Sequence, residues 1–209
     1  MFEPSSYLVF LAACMALIVV PGPAQALVMA RTLAEGRRAG ALTAIGLNVG
    51  TLFHSVAAAL GLSAILSSSA TAFTLVKLAG AAYLVYLGLR AMFSATAASP
   101  STPARRGGVL ASPLSQAVVT GILNPKVALF FLAFLPQFVD PTRGSALLQF
   151  VILGASMAVL DTLYELMLVF LLSRARHRYL RNARLIRWQN RASGLVLLAL
   201  GLRLATQER

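Results

Sequence analysis

The sequence predicts an all-α membrane protein with six transmembrane helices, arranged as two inverted three-helix repeats in which helices one and four are broken by proline. The first observation is composition: 58% of the 209 residues are hydrophobic and 11% are charged, whereas soluble domains carry about 25% charged residues. The second is a series of apolar segments of membrane-spanning length. The third is a proline-containing interruption at matching places in two of these segments, which is the best sequence indication of a transporter binding site.

Six apolar segments are candidates for spanning helices, each of which needs about 20 residues. They use most of the chain, so we predict that residues 1–209 form one membrane domain with no soluble domain of useful size. The last segment is the shortest, and Arg203 lies near its end. The predicted spans are Tyr7–Met29, Ala41–Leu66, Phe73–Met92, Pro113–Val139, Leu147–Leu172 and Ala192–Ala205.

Positive charge is concentrated in alternate connections between the predicted spans. The even-numbered connections hold only Arg143, which Asp140 balances. By the positive-inside rule the odd-numbered connections are cytoplasmic and both termini are external. The net charge of +12 is therefore a topology signal, and it favours membrane lipid as a partner over nucleic acid. The arginines of the odd-numbered connections are Arg31, Arg37, Arg38, Arg90, Arg105, Arg106, Arg174, Arg176, Arg178, Arg181, Arg184, Arg187 and Arg191.

The fifth connection is the richest in arginine, which recurs every three to four residues from Arg178 to Arg191. This spacing predicts a short helix at the membrane surface that contacts anionic lipid headgroups. A regulatory or partner-binding role for this connection is the alternative.

The third and sixth spans share a residue pattern: a cation, a glycine three residues later and a closing Gly-Leu-Arg. Because three is an odd number of spans, two such repeats enter the membrane in opposite directions; chance similarity between apolar segments is the alternative. We predict repeat 1 over 1–93, a flexible cytoplasmic linker over 94–112 and repeat 2 over 113–209. The matching residues are Lys77, Gly80 and Gly88–Arg90 in the third span, and Arg191, Gly194 and Gly201–Arg203 in the sixth.

The interruptions in the first and fourth spans have the chemistry of a binding site. They free backbone groups at membrane depth, where only protein, ion, substrate or trapped water can satisfy them. A helix that restarts there presents an N-terminus that attracts a carboxylate. Asn124 suits the N-cap of the second restarted helix, with Pro125 at its first position, and Lys126 adds positive charge; a plain proline kink is the alternative. The predicted substrate-binding residues are Pro21, Gly22, Pro23, Asn48, Asn124, Pro125 and Lys126.

Charged residues within a span are costly and are functional candidates by default. Lys126 and Asp161 both lie near mid-depth of their spans, and Glu165 follows Asp161 by four residues on the same helix face. These acids are suited to exchange a proton or cation, or to bind the ammonium group of a zwitterionic substrate. A buried pair of Lys126 and Asp161 that only sets helix register is the alternative. Lys77 lies nearer the external end of its span, where its side chain can extend to the interface.

The second span carries Gly46, Gly50 and His54 at a spacing of four, with Asn48 between the two glycines. The glycines form a ridge that allows close helix approach. His54 either donates to a backbone carbonyl or belongs to a proton path. The predicted ion-coupling residues are therefore Asp161, Glu165 and His54.

A set of motifs is distributed over nearly the whole chain: Pro21-Gly22-Pro23 with Arg31 and Gly36–Gly40, Gly46 and Gly50, Lys77–Leu84, Asn124-Pro125-Lys126 with Phe134–Phe138, and Gly194 with Gly201–Arg203. Together these motifs resemble those of one family, the LysE/RhtB-type amino-acid exporters of bacteria. The resemblance implies an inner-membrane protein of six helices that exports an amino acid or a related metabolite, driven by an ion gradient. Asp161 resembles an acid often present in the fifth span of the family, whereas the family pattern assigns no role to Glu165.

The leading hypothesis is a secondary exporter that carries an amino acid by proton or cation antiport, with a homodimer as a candidate assembly. No G-x-x-x-x-G-K-[ST] motif is present, which argues against ATP drive by this chain. A metal-ion exporter is an alternative, because acids and His54 are metal-ligand types. A membrane-embedded enzyme is a second alternative, but no converging catalytic motif supports it. Cys14 is the single cysteine, so no thiol metal site is predicted, and we expect no cofactor.

Overall fold

The computed structural model describes residues 2–68, 70–93, 112–180 and 183–206, and the regular elements in these ranges are all helical. The linker predicted over 94–112 lies outside them except for Ser112, as does the side chain of Lys77. Two short 3-10 helices, Leu135–Phe138 and Pro141–Arg143, follow the sixth α-helix. The α-helices are α1 (Pro4–Val19), α2 (Pro23–Glu35), α3 (Arg37–Ser68), α4 (Ala70–Phe93), α5 (Pro113–Ile122), α6 (Pro125–Ala133), α7 (Ala146–Leu180) and α8 (Ala183–Thr206).

Both predicted breaks interrupt a helix. The axes of α1 and α2 differ by 57° across the first break, and those of α5 and α6 by 43° across the second. Pro21 and Pro23 have no N–H, so carbonyls one turn earlier lose their helical donors and α1 cannot continue. At the second break the Asn124 side chain accepts a hydrogen bond of 3.1 Å from the N–H of Lys126, and Pro125 is the first helical residue. The predicted N-cap is therefore confirmed.

The described helices have the length and surface of a membrane protein. By length and composition α3 (over Arg37–Gly61) and α7 (over Ala146–Arg174) can each cross a bilayer, and each bent pair can act as one further span. α4 contains a shorter apolar stretch, Leu78–Phe93. Large apolar side chains are exposed, Leu60 by 66% and Phe93 by 80%. Apolar exposure on this scale marks a surface that faces a partner or lipid.

α3 and α7 pack antiparallel along much of their length. The Arg37 guanidinium donates to the Ser173 hydroxyl at 2.6 Å, and the Ser55 hydroxyl donates to the Phe150 carbonyl at 2.8 Å. Residue numbers rise along α3 while those of the partners fall along α7, which is the antiparallel order.

α4 and α8 also pack antiparallel, and their repeated glycines make the contact. A Cβ on Gly88 would lie 2.7 Å from the carbonyl oxygen of Gly194, and a Cβ on Gly201 would lie 2.9 Å from that of Ala81. Real Cβ atoms do not approach oxygen this closely, so these positions need glycine for the two backbones to touch. The shared residue pattern of the third and sixth predicted spans is thus a helix-packing pattern.

The second predicted span uses its small-residue ridge against α5. A Cβ on Gly46 would lie 2.7 Å from the carbonyl oxygen of Leu114, and Gly50 meets the backbone of Gly121. His54, one turn further on, places Nε2 3.2 Å from the Gly121 carbonyl oxygen. The predicted close approach is confirmed, and His54 belongs to the same helix face.

The connection after α6 is held by a local charge pair. The Arg143 guanidinium lies 3.1 Å from the Asp140 carboxylate, as the sequence balance suggested. The hydroxyl and backbone N–H of Thr142 donate to Asp140 at 2.6 and 3.0 Å. These hydrogen bonds, the hydroxyl first, lower the pKa of the Asp140 carboxyl below its usual value.

The arginine-rich fifth connection does not form the short separate helix that its spacing predicted. α7 continues to Leu180 and α8 begins at Ala183, so the described arginine positions belong to the ends of two long helices. Residues 181 and 182 lie outside the described ranges. The prediction was wrong because a helical spacing does not distinguish an isolated helix from an extension of its neighbours.

Candidate functional site

The two helix breaks meet in space. The Lys126 ammonium donates a hydrogen bond of 2.7 Å to the Val20 carbonyl, across 106 residues of sequence. A Cβ on Gly22 would lie 3.8 Å from Cδ of Lys126. Val20 ends α1 in extended geometry, so its carbonyl lies at a helix end that the first break opens. Lys126 from the second break therefore satisfies a backbone acceptor that the first break exposes.

A small, partly open cavity of about 30 Å³ lies beside this contact. Its walls combine the start of α2, the start of α6 and the middle of α7, with apolar side chains from α1 closing one side. The volume is enough for one or two water molecules. Six of the ten residues predicted from sequence line it: Gly22, Pro23, Asn124, Lys126, Asp161 and Glu165.

Two acids of α7 bring negative charge to the cavity. Asp161 and Glu165 are one helical turn apart, and Glu165 is only 3% exposed. The Asn48 side chain donates to Glu165 at 3.5 Å and to the Ala44 carbonyl at 3.1 Å. Asn48 thus lies behind Glu165 and supports it, although it does not itself line the cavity.

Lys126 forms no direct ion pair with Asp161. In the described part of the chain, the ion pairs join Arg31 with Glu35 and Arg143 with Asp140. The direct pair considered from the sequence is therefore replaced by an indirect arrangement. The Lys126 ammonium donates to the Val20 carbonyl. Asp161 and Glu165 face the same cavity, and their charges act on the Lys126 ammonium over a longer distance.

The remaining predicted residues lie elsewhere. His54 is half-buried between α3 and α5 with its ring at the Gly121 carbonyl, which is one of the two roles its sequence position suggested. Pro21 and Pro125 shape the breaks without lining the cavity. Within the described ranges, no group of three or more His, Cys, Asp or Glu side chains is placed to hold a metal ion.

Sequence reasoning missed Gln25. This residue is 9% exposed and lines the cavity, and its Nε2 donates to the Tyr164 hydroxyl at 3.2 Å. Its Oε1 is buried without a hydrogen-bond partner in the described ranges. The available signal was position: Gln25 is a polar residue in the first turn of the helix that restarts after Pro23, inside an apolar segment.

A second missed feature is a buried polar cluster around Arg31 at the far end of α2. Arg31 is 8% exposed, and its guanidinium donates to Glu35 on its own helix and to Gln116 on α5. The cluster therefore fastens the restarted half of the first broken helix to the first half of the second. Its signal in the sequence was the spacing of four between Arg31 and Glu35, which suits a helical ion pair.

Comparison with known proteins identifies the family. The profile of the LysE type translocator family matches residues 15–208. The uncharacterized membrane protein YrhP of Bacillus subtilis is 30% identical over 95% of this chain and 97% of its own length. An uncharacterized membrane protein of Vibrio cholerae is 32% identical over 96% of each chain.

More distant relatives carry a functional name. The leucine efflux protein of Klebsiella pneumoniae is 26% identical over 98% of this chain and 97% of its own. No solved structure matches. The family profile covers nearly all of the helices described above, including both breaks and the acids of α7. The chain therefore belongs to the LysE type translocator family and is a multi-pass membrane transport protein of the efflux type.

Proposed function

We propose that this chain is a secondary exporter that carries an amino acid or amino-acid-like metabolite across the bacterial inner membrane by proton or cation antiport. One observation carries the proposal: two helix breaks, one lysine and two acids meet at a single small cavity. Irregular backbone at membrane depth is tolerated where it lines such a site. Ionisable side chains gathered there are suited to substrate and coupling ion.

The charge arrangement suits a zwitterion. The N-termini of α2 and α6 both open at the cavity, and helix N-termini attract anions. Lys126 adds a full positive charge beside them, so the substrate carboxylate binds on this side. Asp161 and Glu165 supply negative charge to the same cavity. They receive either the substrate ammonium or the coupling ion.

The cavity implies a closed conformation. Its volume of about 30 Å³ accommodates water but not an amino acid, so the substrate enters only when the helices around the breaks move apart. The Arg31 cluster holds α2 against α5. Release of this contact is one movement that would open the site from the arginine-rich, cytoplasmic side.

The proposed architecture is six spans in two inverted repeats: α1 with α2, α3, α4, then α5 with α6, α7, α8. Two helix pairs support it. α3 with α7 and α4 with α8 would be equivalent spans of the two repeats, and each pair packs antiparallel, as a two-fold axis in the membrane plane requires. The homodimer stays a prediction from the sequence.

Tags at the two termini test this topology. We expect both to be labelled from outside intact cells, whereas a tag after Ser99 should be reached only after permeabilisation, because the odd-numbered connections carry the arginines. The Ser99 tag is the matched control for cell integrity. A cytoplasmic C-terminus would contradict six spans, most directly by removing α8 as a span.

L-Leucine is the first substrate to test, because named relatives are leucine efflux proteins. Inverted membrane vesicles present the cytoplasmic face outward, so export appears as uptake. We expect L-leucine uptake to accelerate when the lumen is acidic, since protons leaving the lumen drive the substrate in, and a protonophore should remove this acceleration. A comparison of sodium-free with sodium-containing lumens distinguishes coupling to protons from coupling to sodium ions.

The assay extends to a panel of neutral and basic amino acids with Lys126→Met vesicles as the matched control. Uptake of another panel member in place of leucine keeps the proposed function and changes its substrate. If no amino acid accumulates above the Lys126→Met level under any gradient, the proposed function is wrong.

A further inference from the structure

We propose that Gln25 determines specificity for the substrate ammonium group, with its side-chain oxygen accepting a hydrogen bond from an unsubstituted α-ammonium. The inference rests on the proposed function and adds to it one residue and the substrate group that this residue binds, which limits the substrates to molecules with a free primary ammonium group beside a carboxylate. N-acylated derivatives and simple carboxylates fall outside this class.

Only the nitrogen of the Gln25 side-chain amide has a hydrogen-bond partner in the described part of the chain. Its side chain is nine-tenths buried and lines the cavity, and its Nε2 is committed to the Tyr164 hydroxyl at 3.2 Å. Within an amide the oxygen points away from the nitrogen, so this contact orients Oε1 away from Tyr164. Oε1 has no hydrogen-bond partner among the residues that the structure describes. A buried acceptor without a donor is costly, and a ligand that supplies a donor repays that cost.

The Gln25 side chain lies among other oxygen-bearing side chains. Gln25 shares the cavity with Asp161 and Glu165, so three oxygen-bearing side chains line one space. An ammonium group has three N–H donors and no acceptor. An alcohol or an amide presents both donors and acceptors and matches three acceptors less well. The oxygen set therefore recognises an ammonium group.

The first turn of α2 offers separate binding positions for the carboxylate and the ammonium group of a substrate. Gly22 and Pro23 lie at the start of α2, and Gln25 is two residues further along the same helix. The helix N-terminus is suited to a carboxylate, and the Gln25 oxygen is suited to the ammonium. In an α-amino acid the carboxylate and the ammonium group are attached to one carbon, so a single turn of α2 can bind both.

The test compares L-leucine with 4-methylpentanoate, which is leucine without its ammonium group. In inverted vesicles, Gln25→Met keeps the side-chain length and removes the oxygen. We expect the KM for L-leucine to rise about tenfold, the size of effect of losing a hydrogen bond to a charged group. The inhibition constant of 4-methylpentanoate against L-leucine uptake should change less than twofold.

Two further variants keep the result interpretable. Gln137→Met is the matched control, because the Gln137 amide lies outside the cavity and donates to the Ala133 carbonyl; it should leave both constants unchanged. Tyr164→Phe keeps the Gln25 oxygen and removes the group that orients it, so it should raise the leucine KM by a smaller factor. If Gln25→Met does not fold, Tyr164→Phe decides alone.

The outcomes distinguish failure of the Gln25 role from failure of the proposed export function. If wild-type vesicles take up leucine and both constants of Gln25→Met change by the same factor, Gln25 is structural and the inference is wrong. The inference is also wrong if the change appears only with sodium present, because the oxygen set then holds the coupling cation. If wild-type vesicles take up no panel amino acid, the proposed function fails first and this inference fails with it.

Discussion

Export should be lost when Lys126 is replaced by methionine, which keeps the length of the side chain and removes its charge. The Lys126 ammonium donates to the Val20 carbonyl at 2.7 Å and balances two acids at the cavity. Removing one member of a buried charge arrangement costs about 3–5 kcal/mol. We therefore expect less folded protein in the membrane as well as no gradient-driven uptake of substrate by inverted vesicles.

The double variant Lys126→Met with Asp161→Leu separates charge balance from coupling. If the two charges only balance each other, the double variant should regain expression and export, because neither charge is left uncompensated. If Asp161 carries the coupling proton, the double variant should fold and remain inactive. The amount of folded protein in the membrane and the uptake rate are measured on the same vesicles.

Asp161→Asn completes this set by keeping the shape of the side chain and removing its ability to release a proton. It should still exchange substrate down a concentration gradient, but an acidic lumen should no longer accelerate uptake. Asp140→Asn is the matched control, since Asp140 lies in the connection after α6 and pairs with Arg143, and it should respond to the gradient as the wild type does. Full gradient-driven uptake by Asp161→Asn would exclude this carboxylate and leave Glu165 or His54 as candidates.

Gly50→Ala should be strongly destabilising for a single added methyl group. The new Cβ would fall on the backbone of Gly121 in α5, and backbone cannot rotate away as a side chain can. Overfilling a close contact of this kind costs about 1–3 kcal/mol. The melting temperature of the protein in detergent should fall by several degrees, and the His54 contact with the Gly121 carbonyl should be lost with the interface.

Gly61→Ala is the matched control on the same helix. In the described part of the chain, nothing lies within 4 Å of a Cβ built on Gly61, and alanine is favoured over glycine in a helix by up to about 1 kcal/mol. Its melting temperature should stay the same or rise slightly. Equal melting temperatures for Gly50→Ala and Gly61→Ala would contradict a close α3–α5 contact.

Features that depend on local chemistry were predictable from the sequence. Proline ends hydrogen bonding in a helix wherever it occurs, so both breaks were placed correctly. Asn124 before Pro125 is a cap sequence, and the observed hydrogen bond to the N–H of Lys126 follows from it. The glycine ridge of α3 also needed only its spacing of four, which places its members on one helix face.

The errors arose where a local pattern has two outcomes. The arginine spacing from Arg178 to Arg191 indicates a helix but not whether that helix is separate, and the structure extends α7 and α8 over the described part of it. His54 continues the spacing of Gly46 and Gly50, and the structure places it on the face that meets α5. Its assignment to ion coupling stays a prediction.

By itself the sequence determined that the chain is a helical membrane protein with two broken helices, because hydropathy, proline and glycine act within one or two turns. Only the tertiary structure decided which groups share the cavity. The donor at Lys126 and its acceptor at Val20 are 106 residues apart, and Gln25 became a candidate only because α7 brings Tyr164, Asp161 and Glu165 beside it. Contacts between distant segments depend on how whole helices cross, and periodicity defines the face of a helix without naming its partner.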